Sequence, residues 1–363
     1  MIASQNNQNK ININVDLASK SIISQQRPEE TGKTNSNKQL IRLYSFLLQN
    51  SIDFSEQIKQ LRPNSMRFDI IVAHKFVQLG HVNKYTNNTL EYLKTDKKHV
   101  LCEYNLRNSI PFDEFIPFYE FLITRATPKT MIFHVLDTYS YLLNSLLLLN
   151  SINVCFYNIS AANIVIDKNL KPILQNFELC LNFDCHLKFS EIMKHTTDYT
   201  HKPFEVHVLF YLIMKQNDTL TEEIIQKICS VFIQNAAFFI DKDDKKKYKD
   251  ECVSFLQQYK EKPRDVIISD LLMYVNTWDN YSCSVMYLHI VTNIVQVFGI
   301  KHGFLTRFIQ ILQKTVNPNP SHRISLKDTL FLYKELYSEF KDWSFINAIS
   351  PYKIVELHKL LSD

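Results

Sequence analysis

The spacing of apolar residues predicts mainly helices in the first half of the chain, with strands close to residue 100. Residues 40–61 and 68–79 carry apolar side chains at helical intervals, and we predict a helix in each. Residues 130–149 are apolar on most faces, which predicts a long buried helix. Residues 90–93 and 99–104 are short apolar runs that predict two strands. The sequence therefore leaves little room for a large sheet ahead of the long helix.

The second half of the chain combines one short hairpin with many helices. Residues 164–166 and 172–174 are apolar runs on either side of an Asp-Lys-Asn turn, and they predict a hairpin. Further stretches have helical periodicity, namely residues 222–239, 248–259, 265–277, 284–298, 304–315 and 326–339. Helices therefore dominate the predicted structure.

Composition narrows the class of protein. The first 38 residues are rich in Asn, Gln, Ser and Lys and predict a disordered tail. Residues 1–20 lack the apolar segment of a signal peptide, and the most apolar run, residues 142–149, is too short to span a bilayer. A net charge of +4 gives no support for binding to nucleic acid or membrane. We therefore expect a cytoplasmic protein.

The cysteines support the same compartment. The chain has seven of them, an odd number without a Cys-x-x-Cys pair, and no zinc-like spacing follows the closest two. Free, buried thiols in a reducing compartment are the expected state.

Two short motifs carry a family resemblance. Residues 156–163 read Phe-Tyr-Asn-Ile-Ser-Ala-Ala-Asn and resemble the catalytic loop of protein kinases, His-Arg-Asp-x-Lys-x-x-Asn. Residues 176–178 read Asn-Phe-Glu and resemble the magnesium-binding Asp-Phe-Gly. Asn163 follows Asn158 by five residues, and Asn176 follows Asn163 by thirteen, which are the spacings of the family.

The resemblance implies that the chemistry of the family is lost. Asn158 stands at the position of the catalytic aspartate, and its amide lacks the basicity to accept a proton. Ser160 replaces the lysine of the loop. Asn163 and Asn176 match the two magnesium ligands, but each offers only a neutral oxygen where Mg²⁺ prefers an anion. We therefore expect at most weak metal binding at Asn163 and Asn176.

Three later motifs appear in the order of the family. Residues 203–205 (Pro-Phe-Glu) resemble its Ala-Pro-Glu, and residues 279–282 (Asp-Asn-Tyr-Ser) resemble its Asp-x-Trp-Ser. Residues 317–323 resemble its Asp-Pro-x-x-Arg. The resemblance implies a buried ion pair between Glu205 and Arg323. It also implies structural roles for Phe177, which should pack inside, and for Asp279.

The N-terminal part matches the family less well. Residues 100–106 resemble the strand and hinge between the kinase lobes, which would place Glu103 and Tyr104 in a nucleotide pocket. Val72-Ala73-His74-Lys75 resembles the Val-Ala-x-Lys that contacts ATP phosphates, although a solvent-facing lysine on a helix is the alternative for Lys75. Only four glycines occur, at positions 32, 80, 299 and 303, and no two lie near each other in the N-terminal region where a phosphate-covering loop is expected.

The implied fold is α+β and kinase-like, with two lobes. The way in which the motifs diverge from the family pattern most resembles the kinase-like proteins of large DNA viruses. Residues 39–106 would form a reduced N-terminal lobe, and residues 107–345 a mainly helical C-terminal lobe. The long interval after Glu205 predicts a helical insertion at about residues 210–277, and residues 346–363 would form a C-terminal helix or tail.

Three functions follow from the resemblance. The favoured one is a pseudokinase, a kinase-like body that binds or scaffolds an unidentified protein partner. The second is an atypical active Ser/Thr kinase, in which Asn163, Asn176 and Glu178 hold Mg²⁺ and Lys75 contacts ATP. The third is a structural or host-interaction protein that binds no nucleotide. ATP and Mg²⁺ are thus the possible cofactors.

Overall fold

A computed structural model describes residues 39–62, 64–77, 82–86, 89–93, 98–105, 115–125, 127–184, 186–215 and 219–362. Predictions made for residues 1–38 and for residues 106–114 lie outside these ranges. The described strands are β1 (Gln39–Leu43), β2 (Phe68–Asp69), β3 (Ile71–Val77), β4 (Val82–Thr86), β5 (Thr89–Leu93), β6 (His99–Tyr104), β7 (Ile116–Pro117), β8 (Val154–Cys155), β9 (Ile164–Ile166), β10 (Pro172–Gln175) and β11 (Leu181–Asn182).

Helices make up most of the described structure, so the predicted α+β class is confirmed. They are α1 (Phe46–Lys59), α2 (Phe118–Glu120), α3 (Pro128–Asn150), α4 (His186–His195), α5 (Phe204–Lys215), α6 (Glu222–Asn235), α7 (Lys245–Gln257), α8 (Arg264–Leu272), α9 (Val275–Phe298), α10 (Gly303–Thr315), α11 (Leu326–Glu339) and α12 (Ile354–Ser362).

The sheets are small. Strands β1, β6 and β3 form an antiparallel sheet with β6 in the centre, and β4 pairs with β5 in a hairpin. A second sheet has the order β2-β10-β9-β7, and it contains the β9–β10 hairpin that the sequence predicted. Strands β8 and β11 form a short antiparallel pair. The last two sheets flank the loop of residues 156–163 on both sides.

Of the two helix predictions in the first part of the chain, the one for residues 40–61 is confirmed only from Phe46 onward, and the one for residues 68–79 was wrong over the described residues 68–77. Residues 39–43 form strand β1, and the helix begins only at Phe46, after Ser45 accepts a hydrogen bond from the backbone N–H of Leu48. Residues 68–77 form β2 and β3 instead of a helix. Their consecutive β-branched residues Ile70, Ile71 and Val72 favour a strand, because such side chains fit a pleated surface.

Three apolar cores are present among the described residues. A small core joins α1 to the three-stranded sheet through Leu48, Ile52, Ile71, Val100 and Cys102. A large core surrounds α3, α9, α10 and α11. A third core contains residues of helices α4, α5, α6, α7 and α8, together with Tyr157 of the 156–163 loop and Trp278 of α9. Helices α6, α7 and α8 lie within the predicted insertion and share this third core.

Helices α3 and α9 contain the longest apolar stretches. Both meet the length and mean hydropathy of a membrane span, in residues 130–150 and 275–298 respectively. More than half of each stretch is buried against the rest of the protein, as in core helices, so this is weak evidence for a membrane. The six described cysteines are free and buried, as the sequence led us to expect.

The ion pair implied by the resemblance is present and buried. Arg323 donates from Nη1 to Glu205 Oε1 at 2.6 Å and from Nη2 to Oε2 at 2.7 Å. Its Nε–H donates to the carbonyl of Asn317, and its guanidinium lies over the ring of Tyr281. Both charged side chains are almost fully excluded from solvent. The pair therefore fixes the start of α5 to the loop before α11.

We predict that Glu205→Gln lowers the free energy of unfolding by about 3–5 kcal/mol, because it leaves the Arg323 guanidinium buried without an anion. Urea unfolding followed by circular dichroism measures the change. The matched control is Glu223→Gln, which removes an exposed carboxylate from α6. The double variant Glu205→Gln/Arg323→Met should lose less than the sum of the two single variants. A loss equal to that sum contradicts the coupling.

Candidate functional site

Three asparagine side chains form the centre of the candidate site. The loop of residues 156–163 runs from β8 to β9 and closes with a turn of 3₁₀ helix. Asn163 donates from Nδ2 to the carbonyl of Asn158 at 2.9 Å and to Ser160 Oγ at 3.2 Å. Asn176, which follows β10, donates from Nδ2 to Asn163 Oδ1 at 3.2 Å. The structure therefore brings together the four predicted residues of the degenerate motifs.

Asn176 has a backbone requirement of its own. It lies in the left-handed region, with φ 69° and ψ 74°. Asparagine and aspartate adopt this conformation more readily than other residues with a side chain, because their short polar groups hydrogen-bond locally. An asparagine at this position is therefore compatible with the backbone geometry and contributes no charge to the site.

Phe177 packs inside, as expected from the sequence. Its ring meets those of Phe156 and Phe68 edge to face, with centroid distances of 5.1 and 6.1 Å. The contacts join the loop, the end of β10 and strand β2 in the large core. The position of Asn176 beside Asn163 is thus fixed by packing as well as by the hydrogen bond.

Asp279 anchors the backbone of the loop of residues 156–163 through hydrogen bonds. Its carboxylate accepts hydrogen bonds from the backbone N–H groups of Phe156 at 2.7 Å and of Tyr157 at 2.8 Å. Burial raises the pKa of Asp279 to about 6, and the two hydrogen bonds oppose this shift. Tyr157 needs such support, because its φ of 61° lies in the left-handed region that bulky residues avoid.

A lysine that sequence reasoning did not single out completes the loop. Lys202 donates from Nζ to the carbonyl of Tyr157 and lies 3.4 Å from Asn158 Oδ1. Its ammonium is 4.2 Å from the centroid of the Tyr157 ring. The residue is only 3% exposed, and burial lowers its pKa to about 8. No carboxylate within the described ranges lies at ion-pair distance from it.

A second cation, Arg42 on β1, lies beside the segment that follows Asn176. Its guanidinium forms an ion pair with Glu178, next to Phe177, and donates from Nη1 to the hydroxyl of Tyr104 at 3.0 Å. Asn50 on α1 donates from Nδ2 to the carbonyl of Glu178 at 2.8 Å. Strand β1 and helix α1 are thereby attached to the segment that follows Asn176.

Lys75 and Glu103 lie on the other face of the three-stranded sheet. Residues directly opposite each other in an antiparallel ladder share a face, and successive residues alternate. Arg42 is opposite Val100, whereas Lys75 is opposite Leu101. Lys75 is exposed and lies on a strand, so its predicted place in a helix was wrong. Of the predicted pocket residues, only Tyr104 contacts the Arg42–Glu178 pair.

The site offers few anionic oxygens to a metal. No three His, Cys, Asp or Glu side chains gather into a metal-binding group in the part of the chain that the structure describes. The amide oxygens of Asn163 and Asn176 are neutral, and the Asn163 oxygen already accepts a hydrogen bond. Glu178 carries a charge, but its carboxylate is paired with Arg42. A bound Mg²⁺ would have to compete with both interactions.

Sequence reasoning missed Arg42 and Lys202. The helical spacing of residues 40–61 predicts a single helix, which gives no reason to place Arg42 in a site. The run Leu40-Ile41-Arg42 just before a capping serine is also compatible with a strand followed by a helix. Lys202 stands directly before the Pro203-Phe204-Glu205 motif, but a single lysine gives no sign of burial.

Comparisons with known proteins do not assign the chain. No family model matches it, and no curated protein matches it significantly. The geometry and charges of the site are therefore the main basis for a functional proposal.

We predict that Asp279→Ala lowers the free energy of unfolding by about 2–6 kcal/mol. The change leaves two buried backbone N–H groups without acceptors, at about 1–3 kcal/mol each, and it removes the support for the Tyr157 backbone. Chemical denaturation measures the loss, with Asn276→Ala on the exposed side of α9 as the control. Equal stability of the two variants contradicts this role for Asp279.

Proposed function

We propose that the protein is a pseudokinase: a two-lobed, kinase-like body that has lost phosphoryl transfer and acts as a binding or regulatory scaffold. The order and spacing of the five motifs support this proposal. So does the geometry around Asp279 and the Glu205–Arg323 pair, which connect motifs that are far apart in the sequence. The architectural residues are kept where the chemical ones are replaced.

One observation carries the proposal. Asn158 and Asn176 carry neutral side-chain amides at the two positions where phosphoryl transfer needs carboxylates, and Asn163 connects them by accepting from Asn176 and donating to the backbone carbonyl of Asn158. In a kinase one aspartate accepts the proton of the substrate hydroxyl, and another holds the Mg²⁺ that neutralises the phosphates. An amide accepts no proton at neutral pH and carries no charge to attract the metal. Both steps are therefore lost together.

The Arg42–Glu178 pair supports the loss of nucleotide chemistry. A kinase positions the ATP phosphates with a strand lysine that pairs with a glutamate on the following helix. Here the cation is Arg42, on a strand followed by α1, and its partner is Glu178, beside Phe177. The guanidinium is thus already neutralised, and α1 contributes the uncharged Asn50 to the same segment. ATP would have to break this pair to reach Arg42.

The proposal assigns the small lobe to the three-stranded sheet with α1, and the large lobe to the helices from α3 onward. The insertion formed by α6, α7 and α8 is the additional surface of the large lobe and is our choice for the protein-binding region. The proposal further includes an intracellular location and a protein partner, with no role for nucleic acid or membrane.

The active-kinase alternative has less support. It requires Lys75 to contact ATP, whereas Lys75 and Arg42 lie on opposite faces of the sheet. It also requires Glu178 to leave its ion pair in order to bind Mg²⁺. The third alternative, a protein that never binds nucleotide, is compatible with the same geometry. Only direct measurements of nucleotide binding distinguish it from a pseudokinase.

We predict that calorimetric titration of the full chain with ATP gives no magnesium-dependent binding, because Asn163 and Asn176 are neutral and the carboxylate of Glu178 is already paired with Arg42. Asn176→Asp is the matched variant, since it keeps the left-handed backbone and adds one carboxylate. Binding that is indifferent to Mg²⁺ would indicate a nucleotide-stabilised pseudokinase. Magnesium-dependent binding at micromolar affinity, lost in Asn163→Ala, contradicts the proposal.

A further inference from the structure

The three-stranded sheet β1-β6-β3 rests on helix α1, and α1 in turn rests on the large core. Leu48 and Ile52 of α1 belong to the small core that joins this helix to the sheet. Phe54 and Ile58 of the same helix belong to the large core. Helix α1 therefore lies as a wedge between the sheet and the helices that follow it in the chain.

The ion pair between Arg42 and Glu178 joins the sheet to the large core without passing through α1. Arg42 lies on β1, and Glu178 lies in the 3₁₀ turn that follows Asn176. We propose that the sheet is a flap that tilts away from α1, and that this ion pair is the latch that keeps the flap closed. Tilting exposes the small core to solvent. The latch is independent of the proposed function, because it requires neither a nucleotide nor a catalytic loop.

The latch is held less firmly than the buried pair between Glu205 and Arg323. Arg323 donates from both Nη atoms to its carboxylate partner, and the two side chains are 1% and 0% exposed. Arg42 donates to Glu178 from Nη2 alone, while its Nη1 donates to Tyr104 of the same sheet. The side chains of this pair are 32% and 16% exposed. Water and salt therefore reach the latch, and its contribution to stability is smaller than that of a fully buried pair.

The opposite edge of the sheet is fixed to α1 by hydrogen bonds. Strand β3 forms this edge, and the backbone N–H of Ile71 donates to the buried Ser55 Oγ at 3.0 Å. Lys59 Nζ donates to the carbonyl of Val72 at 2.9 Å. Residues 44 and 45 link β1 covalently to α1. The movement is therefore a tilt that begins at β1, and the sheet stays attached to α1 along β3.

Two native cysteines report on this movement. Cys102 lies on β6, the central strand, and its side chain is fully buried in the small core between the sheet and α1. Cys283 on α9 is equally buried, but in the large core. A thiol reagent reaches either side chain only after an opening motion. Cys102 therefore reports the tilt of the sheet, and Cys283 reports unfolding of the whole protein.

The test is the alkylation of Cys102 by N-ethylmaleimide in the full chain, followed over time by mass spectrometry of its peptides. We expect Arg42→Gln to speed the reaction of Cys102 by about tenfold or more, because a hydrogen bond between charged groups is lost, and to leave Cys283 unchanged. Lys188→Gln is the matched control, since it removes an exposed ion pair that joins α4 to Asp53 of α1, and it should not change the Cys102 rate. A wild-type rate in Arg42→Gln, the same acceleration in Lys188→Gln, or equal acceleration of both thiols overturns the latch.

A second measurement covers the case in which Arg42→Gln does not fold. In the wild-type protein, added NaCl should speed the alkylation of Cys102 but not that of Cys283, because salt screens a partly exposed ion pair. Glu178→Gln removes the same pair from the other side, so its Cys102 should react faster than wild type at low salt and respond little to NaCl. A wild-type Cys102 rate that is independent of salt, or an equal salt response in Glu178→Gln, overturns the latch. Both measurements are made without nucleotide, so their outcome is separate from that of the ATP titration.

Discussion

The loop at the centre of the molecule depends on one buried carboxylate. Asp279, near the start of the most deeply buried helix, accepts the backbone N–H groups of Phe156 and Tyr157. These bonds hold Tyr157 in a left-handed conformation that costs a bulky residue about 1–3 kcal/mol. The turn that follows brings Asn158 and Asn163 into contact. Asp279 thus fixes the backbone of the two residues that directly precede Asn158.

The charged side chains that contact Asn158 and the segment after Asn176 include two cations, whereas a phosphoryl-transfer site places carboxylates there. The asparagines contribute no negative charge, while Lys202 lies against Asn158 and Arg42 lies beside Glu178. A phosphoryl-transfer site concentrates carboxylates and metal ions around the phosphates. Here the cations belong to the protein and are already satisfied by carbonyl oxygens, an aromatic ring or a carboxylate. The arrangement stabilises a closed structure and leaves little electrostatic capacity for catalysis.

Much of the helical part could be predicted from sequence, because α10 and α11 have long, regular apolar spacing and because the β9–β10 hairpin has a clear turn. The pairing of Glu205 with Arg323 was implied by the family resemblance of the two motifs that contain them. Strands β1 and β3 could not be separated from helices by periodicity, since short apolar runs fit both patterns. Arg42 was missed because it lies on β1, for which the sequence predicted a helix. Lys202 was missed because its burial arises only from tertiary packing.

The most direct test of the proposed loss of phosphoryl transfer is the transfer of labelled γ-phosphate from ATP, measured with the purified full chain in the presence of Mg²⁺. The account predicts that wild-type protein incorporates no more label than the Asn158→Ala variant, because the amide of Asn158 cannot accept the proton of a substrate hydroxyl and Asn163 and Asn176 offer Mg²⁺ only neutral oxygens. Robust incorporation that disappears in Asn158→Ala would show that the loop is catalytic and would contradict the account.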